Sequence, residues 1–219
     1  MQTITAYLEK LSAHKELLVT SLVAVFCILL SAFFPTDNQF QLISKNIFFL
    51  VFLPMLYIKL ILKGNLSDWG WNFENKKEGA LLGALAFLAS LIIFYLIIRF
   101  TTFSSHYTIS PLVRNNFGIF ILYELVFFNI FFFTQEFFFK GFLLFSFRPF
   151  FVYSVLIQAG VYCATTFLSS SPSLQALPLI FLSLIGGYVT YKTRSFLYSY
   201  IFGLLFIIIL DAYIIHLVK

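Results

Sequence analysis

The sequence predicts an all-α fold, a polytopic transmembrane bundle of about seven to eight spanning helices that forms a single domain over residues 1–219. Of its 219 residues, 61% are hydrophobic and only 11% are charged, whereas soluble domains carry about 25% charged residues. The mean hydropathy is +0.96. The apolar residues form continuous runs instead of alternating with polar ones, which excludes a membrane β-barrel. Lipid must therefore surround most of the outer surface of the protein.

Seven apolar runs come close to the roughly 20 residues that a helix needs to cross a bilayer. They cover Leu17–Phe34, Asn46–Leu62, Gly79–Ile98, Phe117–Phe139, Phe150–Leu168, Leu174–Tyr191 and Phe196–Val218. The fourth helix can continue as far as Phe147. An eighth, short or re-entrant element can lie between residues 99 and 116 or within 141–149.

The polar N-terminal segment, residues 1–16, precedes the first apolar run without the features of a secretory signal peptide. It lacks a small-residue cleavage site after a short apolar core. The first run is therefore interpreted as a retained helix. No Pro-, Gly- or Ser-rich linker and no internal repeat divides the chain, which favours one domain.

The distribution of Lys and Arg between the loops predicts the orientation, because cytoplasmic loops are enriched in these residues. With the N-terminus inside, ten basic residues face the cytoplasm: Lys10, Lys15, Lys59, Lys63, Lys76, Lys77, Lys140, Arg148, Lys192 and Arg194. Four face outward: Lys45, Arg99, Arg114 and Lys219. The sequence thus predicts a multi-pass protein of the cytoplasmic (inner) membrane with its N-terminus inside and its C-terminus outside.

The net charge of +5 does not indicate a nucleic-acid partner, because the basic residues lie in short loops and are explained by topology. Cys27 and Cys163 lie inside apolar runs and share no motif. The histidines lie near helix ends or in loops, without another His, Cys or acid at helical ligand spacing deep in the membrane; they are His14, His106 and His216. No cofactor is predicted, and metal binding is left open.

Three connecting or packing features stand out. The longest polar loop, Lys63–Glu78, contains the only two tryptophans, Trp69 and Trp71, which are predicted to anchor at a membrane interface. The segment SSSPS at 169–173 predicts a turn. Gly186 and Gly187 predict close packing of the sixth helix against a neighbour.

Three acidic residues lie within the predicted spans, where a charge is costly and indicates a partner or a function. Glu124 and Glu136 are about 18 Å apart along the fourth helix and cannot form a carboxylate pair. Lys140 follows Glu136 by four residues, so we expect the two to pair and to face the bundle. Asp211 has no basic residue at helical spacing, so it must face protein or water, or be protonated.

A polar stripe runs along the fifth predicted helix, where Gln158, Tyr162 and Thr166 follow each other at steps of four. The stripe is expected to face the interior of the bundle, where interhelical hydrogen bonds are one explanation for it. We also predict that these three side chains line the same interior cavity as Glu136.

Two segments together resemble the motifs of the CPBP family, intramembrane proteases that include CAAX-prenyl endopeptidases and bacteriocin-processing or self-immunity proteins. Gln135-Glu136-Phe-Phe-Phe-Lys140-Gly141 is similar to the first motif, EExxxR followed by Gly. Tyr162-Cys-Ala-Thr-Thr166 stands at the place of the second motif, FxxxH. The resemblance covers roughly residues 66–211, the CPBP-like core, and implies a CPBP-like helical fold.

The third CPBP motif, HxxxN or HxxxD, follows a loop that Lys192–Ser195 resembles. Its positions fall on Gly203 and Ile207 or, one turn later, on Ile207 and Asp211. The resemblance thus implies six candidate site residues: Gln135, Glu136 and Lys140 from the first motif, Tyr162 and Thr166 from the second, and Asp211 from a possible third.

The groups that carry the family's chemistry differ here. The first Glu, taken as the general base for water, falls on Gln135, the Arg falls on Lys140, and both histidines are absent. Gln cannot take a proton, and neither Thr nor Gly replaces an imidazole ligand. Loss of a general base alone costs about 10²–10⁴-fold in rate.

Three functions therefore stay open. The first is a CPBP-like protein with a degenerate, inactive site that binds membrane lipid, a hydrophobic or prenylated peptide, or a membrane protein. The second is an active intramembrane protease with a rewired site around Glu136. The third is a small transporter or channel, which predicts pairing of acids across a cavity. We expect the first, without ordinary metal- or Glu-dependent peptidase activity; a nucleophilic Cys163 lacks a basic partner in sequence.

Overall fold

The computed structural model describes the backbone of residues 2–150, 152–169 and 174–218, and the side chains of 15–150, 152–168 and 174–217. Within these residues every regular element is helical and no strand is present. The all-α prediction is therefore confirmed. The predicted turn at 169–173 lies largely outside the described residues.

Seven long helices make up the described chain. They are α1 Gln2–Phe33, α2 Gln39–Ile61, α3 Lys76–Phe100, α4 Phe117–Ser146, α5 Tyr153–Ser169, α6 Leu177–Thr193 and α7 Phe196–Val218. Short helices lie between α3 and α4, at Phe103–His106 and Pro111–Asn115. Single turns of tighter 3₁₀ helix occur at Leu66–Trp69, Arg148–Phe150 and Leu174–Ala176.

Six of these helices are long and apolar enough to cross a membrane, and α5 is a shorter apolar helix. The protein is thus a helical bundle with the composition of a multi-pass membrane protein. The fourth predicted run does continue past Phe139, to Ser146. The possible eighth element between 99 and 116 takes the form of the two short helices.

Helix α4 lies at the centre of the bundle, where it packs against α2, α5, α6 and α7. Every residue from Glu136 to Leu144 is buried. Phe137, Phe138, Phe139 and Phe142 supply most of this core. Charged side chains on this stretch are therefore surrounded by protein rather than by lipid.

Small residues let α7 approach its neighbours closely. A Cβ atom at Gly79 or Gly83 of α3 would overlap the rings of Tyr198 and Phe202 on α7. On α6, a Cβ at Gly187 would lie 2.6 Å from the amide oxygen of Gln158 on α5. The predicted close packing at Gly186 and Gly187 is confirmed, because neither position has room for a methyl group.

One end of the bundle, called here the Trp69 end, is formed by residues 63–75 and the turn between α6 and α7. Gly70 has a left-handed φ of +82° and its carbonyl accepts a hydrogen bond of 3.2 Å from the N–H of Phe196. The Asn72 amide donates to the carbonyl of Arg194 at 3.1 Å. These bonds hold the loop against the ends of α6 and α7.

Both tryptophans pack on aromatic side chains at the Trp69 end. Trp69 stacks on Phe142 with ring centroids 5.5 Å apart. Trp71 meets three rings edge-on, those of Phe133, Phe137 and Phe196. Anchoring of Trp69 and Trp71 at a membrane interface stays a prediction.

The opposite end, called here the Tyr107 end, contains residues 101–116, the α1–α2 turn and Leu174–Ala176. The Gln175 amide donates to the carbonyl of Thr108 at 3.3 Å. Because the chain passes α4 from the Tyr107 end to the Trp69 end and α7 in the reverse direction, these two helices are antiparallel.

Candidate functional site

Polar side chains inside the bundle form two layers on α4 and α7. Glu136 and Ser199 lie in the layer nearer the Trp69 end, and Glu124 and Asp211 lie in the layer nearer the Tyr107 end. In each helix the two layers are 12 residues apart, which corresponds to about 18 Å. Asp211 is therefore in a different layer from Glu136, and the possible third motif position does not meet the first.

The layer nearer the Trp69 end is a closed ring of three side chains. Lys140 Nζ donates to Glu136 Oε1 at 2.5 Å and to Ser199 Oγ at 2.8 Å. Ser199 Oγ donates to Glu136 Oε2 at 2.8 Å. Glu136 is 4% and Lys140 2% exposed. The predicted Glu136–Lys140 pair, facing the bundle, is confirmed.

Gly186 on α6 provides the space for this ring. A Cβ atom at Gly186 would overlap both Ser199 Oγ and Lys140 Nζ. The stretch Glu136–Leu143 also has π-type hydrogen bonding, an irregularity that is frequent at functional positions. Lys140 is enclosed here, so the expectation that it faces the cytoplasm from a loop is wrong.

The layer nearer the Tyr107 end is a pair of carboxyl groups. Glu124, 1% exposed, faces the Asp211 carboxyl, and neither of its oxygens has an N–H or O–H donor from a described protein group. Asp211 accepts a 2.7 Å hydrogen bond from the Tyr107 hydroxyl. Two carboxyl groups bond to each other only if one carries a proton. A pair of facing carboxyl groups can therefore hold one proton between them.

The Tyr107 phenol lies outside the long helices and stays protonated. Burial, and then the negative charge of Asp211, raise its pKa well above the ordinary value. Tyr107 therefore acts as a hydrogen-bond donor to Asp211 at neutral pH.

Asp211 lies on the wall of a cavity of about 770 Å³, called here the Asp211 cavity. Gln39 of α2 and Leu122 and Phe127 of α4 belong to its lining and are exposed, and this part of the lining is called here the mouth. Aromatic and aliphatic side chains form most of the lining, and among the side chains that the structure describes Asp211 is its only charged residue. The cavity thus offers an apolar volume with a carboxyl group at one wall.

A second cavity of about 400 Å³ contains the motif positions Gln135, Tyr162 and Thr166, together with Asn46 of α2. Thr166 also lines the Asp211 cavity, so the two cavities are neighbours. Gln135 of the first candidate motif thus shares a cavity with Tyr162 and Thr166 of the second, whereas Glu136 and Lys140 do not belong to its lining.

The expectation that Gln158 and Glu136 line this cavity with Tyr162 and Thr166 is wrong. Both side chains are buried and neither belongs to its lining. The reason for Glu136 is that Lys140 and Ser199 compensate its charge inside the protein, so it does not need the cavity. Gln158 lies against the backbone of Gly187 instead.

The remaining third-motif positions are structural. A Cβ at Gly203 would lie 2.9 Å from the ring of Phe132. Ile207 is part of the apolar core with Phe94, Phe206 and Leu210. Neither position contributes a polar group.

Two residues of the site had no assigned role in the sequence: Tyr107 and Ser199. Ser199 is a polar residue on the helix of Asp211, but its partners Glu136 and Lys140 lie 63 and 59 positions away. Tyr107 is 104 positions from Asp211 and gave no signal. Within the described residues, no group of three or more His, Cys, Asp or Glu side chains is arranged to hold a metal ion.

Comparisons with models of protein families, with curated proteins and with solved structures found no match.

Proposed function

We propose that this protein binds an amphipathic small molecule or lipid in the Asp211 cavity, and that it has no peptidase activity at Glu136. One observation carries the proposal: Glu136 is enclosed by Lys140 and Ser199, while the Asp211 cavity is mostly apolar and includes exposed side chains of two long helices. The chemistry needed for hydrolysis and the space needed for binding are in different places.

The size and lining of the cavity support ligand binding. Small-molecule sites usually have volumes of about 300–1,000 Å³ and mostly apolar walls with a few polar groups. The Asp211 cavity, at about 770 Å³, falls in that range. Leu122 and Phe127 at its mouth are exposed, so an amphipathic molecule can enter sideways from the lipid.

The contacts of Glu136 argue against hydrolysis. A general base must reach the proton that it abstracts directly or through one water. Both Glu136 oxygens already accept hydrogen bonds, one from an ammonium group, and among the described residues the side chain lines neither of the two cavities. Gln135 does face the second cavity, but it offers a hydrogen-bond donor and no base.

We further propose that this protein shares its helical scaffold with the CPBP family but not the family's hydrolytic reaction. The convergence of Gln135, Tyr162 and Thr166 on one cavity supports a common arrangement of the first two motifs. The absence of an imidazole at Thr166 and at Gly203 explains why the same scaffold has no hydrolytic centre.

The proposed membrane topology has seven spans, with the N-terminus inside. Helix α5, 17 residues and about 25 Å long, connects α4 at the Trp69 end to Leu174–Ala176 at the Tyr107 end, so it must cross the bundle. Placing the Trp69 end in the cytoplasm leaves nine basic positions inside, ten minus the buried Lys140, against four outside.

A second candidate function is a small transporter. The transporter hypothesis predicts paired acids beside a cavity, and Glu124 and Asp211 form such a pair next to the Asp211 cavity. Transport requires binding at the same place, so binding is the property to test first.

The test uses N-phenyl-1-naphthylamine, a neutral amphipathic dye that fluoresces in apolar sites, with purified protein in dodecylmaltoside. We expect saturable binding to the wild type. Ala176→Trp, which fills the cavity, should weaken binding at least tenfold, whereas Ala80→Trp, on the exposed surface of α3, should not change it. Equal binding by both variants would contradict the proposed site.

The peptidase part is tested with a panel of prenylated and transmembrane peptides and mass spectrometry of the products. We expect no cleavage by the wild type. Cleavage that disappears in a folded Glu136→Gln variant would establish the protease and overturn this part of the proposal.

A further inference from the structure

The ligand class that the Asp211 cavity accepts follows from its charge, and the inference rests on the proposed binding function. We propose that the cavity binds an organic cation with an apolar body, and that the Glu124–Asp211 pair releases its shared proton when the cation binds.

The first step is the sign of the charge. Among the side chains described in the structure, Asp211 is the only charged one in the lining, and none of those lining the cavity is Lys or Arg. A ligand with a phosphate or carboxylate group would find no cation to pair with and would be repelled by Asp211. A ligand with one positive charge would find a carboxyl group whose hydroxyl donor, Tyr107, is already in place.

The second step is the unpaired state of Glu124. Its side chain is 99% buried, with both oxygens free of donor groups from the described protein, and it faces Asp211. An uncompensated buried carboxylate is strongly unfavourable, and two adjacent carboxylates cannot both ionise without a counter-charge. The pair therefore holds one proton when the cavity contains no cation, and a bound cation replaces that proton.

The third step is the nature of the walls. Tyr107, Tyr123, Phe127 and Phe128 contribute four aromatic side chains to the lining. Aromatic faces attract cations, most strongly when water is excluded. The aliphatic remainder of the wall suits an apolar body, so a bare metal ion is a poorer match than a lipophilic cation.

The titratable groups around Glu124 identify the Glu124–Asp211 pair as the source of the released proton. Tyr123 is next to it on α4, Tyr107 comes from the segment between α3 and α4, and Asp211 from α7. Arg114 and His216, two basic residues of the Tyr107 end, line a separate cavity.

The test measures binding of radiolabelled tetraphenylphosphonium to the purified full-length protein in dodecylmaltoside, which carries no charge. We expect saturable binding, with release of about one proton per cation measured in weak buffer at pH 7. Asp211→Asn should weaken tetraphenylphosphonium binding at least tenfold and should lower the ratio of cation affinity to N-phenyl-1-naphthylamine affinity, because only the cation pairs with the carboxylate.

The variant Glu124→Gln separates the two carboxyl groups. Asp211 then keeps its charge without a shared proton, so the cation should still bind and the proton release should disappear. A Glu124 or Asp211 variant that fails to fold is recognised because it no longer binds the neutral dye. In that case Tyr107→Phe, which removes only the hydrogen-bond donor to Asp211, is measured in the same assays. We expect it to change the affinity for tetraphenylphosphonium threefold or more.

Competition by diheptanoyl-phosphatidylcholine distinguishes the sources of the cation. Displacement of tetraphenylphosphonium identifies a lipid headgroup as a ligand, and absence of displacement identifies a free lipophilic cation. Dye binding without tetraphenylphosphonium binding, or equal cation affinity in a dye-binding Asp211→Asn variant, overturns this inference alone. Absence of both kinds of binding overturns the proposed function as well.

Discussion

Glu136 and Lys140 show how two full charges are accommodated in an apolar bundle. Each charged group has two hydrogen-bonding contacts within the ring, and the pair lies among buried phenylalanine side chains. A buried pair of this kind adds little net stability, because desolvation offsets the attraction. Its members nevertheless depend on each other, since either one alone leaves an uncompensated charge.

Replacement of Lys140 by Met is expected to lower the free energy of unfolding by about 3–5 kcal/mol, the usual cost of removing one partner of a buried ion pair. The double variant Glu136→Gln/Lys140→Met should recover most of this loss, because no charge is then left in the core. Unfolding of the purified proteins in mixed micelles measures both effects. A double variant as unstable as Lys140→Met would contradict the interpretation.

At the level of single residues, the sequence predicts what depends on local spacing. The pairing of Glu136 with Lys140 follows from their separation of four residues on one helix. The pairing of Glu124 with Asp211 does not, because it joins α4 to α7 and requires knowledge of which helices are neighbours. The contacts of Ser199 with Glu136 and of Tyr107 with Asp211 are of the same kind, because they form only when distant segments pack together.

At the level of elements, α3 and α7 form a close contact through small residues. Gly79 and Gly83 are separated by four residues in an apolar helix, the spacing that allows backbones to approach in membranes. Their Cα atoms face the rings of Tyr198 and Phe202 without room for a methyl group. This spacing is visible in the sequence, although only Gly186 and Gly187 were singled out there.

Gly83→Ala is expected to destabilise the protein by about 1–3 kcal/mol, the cost of inserting a methyl group into a tightly packed contact. The matched control is Gly160→Ala on α5, where a Cβ atom would meet nothing within 4 Å. The control should be neutral or slightly stabilising, because Ala favours helix more than Gly. Unfolding in mixed micelles compares the two, and equal effects would mean that the α3–α7 contact contributes nothing.

The boundaries of α4 and α5 differ from those of the apolar runs in the sequence. Helix α4 continues past Lys140 to Ser146 because α6 and α7 supply polar contacts and room for the ammonium group. Helix α5 begins at Tyr153 instead of Phe150, because Arg148–Phe150 forms a separate turn that contains Pro149.

At the level of the whole molecule, all seven apolar runs correspond to helices, because hydropathy is a property of contiguous residues. The arrangement of those helices is not contained in the runs. The two cavities in particular arise where α2, α4, α5, α6 and residues 107–113 leave space between them. The sequence therefore predicts that Gln135 and Thr166 are polar residues within helices. It does not predict that they line a cavity while Glu136, Lys140 and Ser199 form a closed ring away from it.

The orientation of the bundle is the last prediction. The Trp69 end should lie in the cytoplasm and the Tyr107 end outside, because basic residues concentrate in cytoplasmic loops. Single cysteines are introduced at exposed positions in a Cys27→Ser/Cys163→Ser background. The first pair of positions, Asn65 and Glu74, lies at the Trp69 end, and the second pair, Thr102 and Asn115, lies at the Tyr107 end. In intact cells a membrane-impermeant maleimide should label the second pair.

The first pair should react only after permeabilisation. Leu85→Cys, on the exposed apolar face of α3, serves as the control and should react under neither condition, because lipid surrounds it. Labelling of Asn65→Cys and Glu74→Cys in intact cells would reverse the orientation. The mouth of the Asp211 cavity, which lies toward the Tyr107 end, would then face the cytoplasmic leaflet, and its ligand would have to come from the inner side of the membrane.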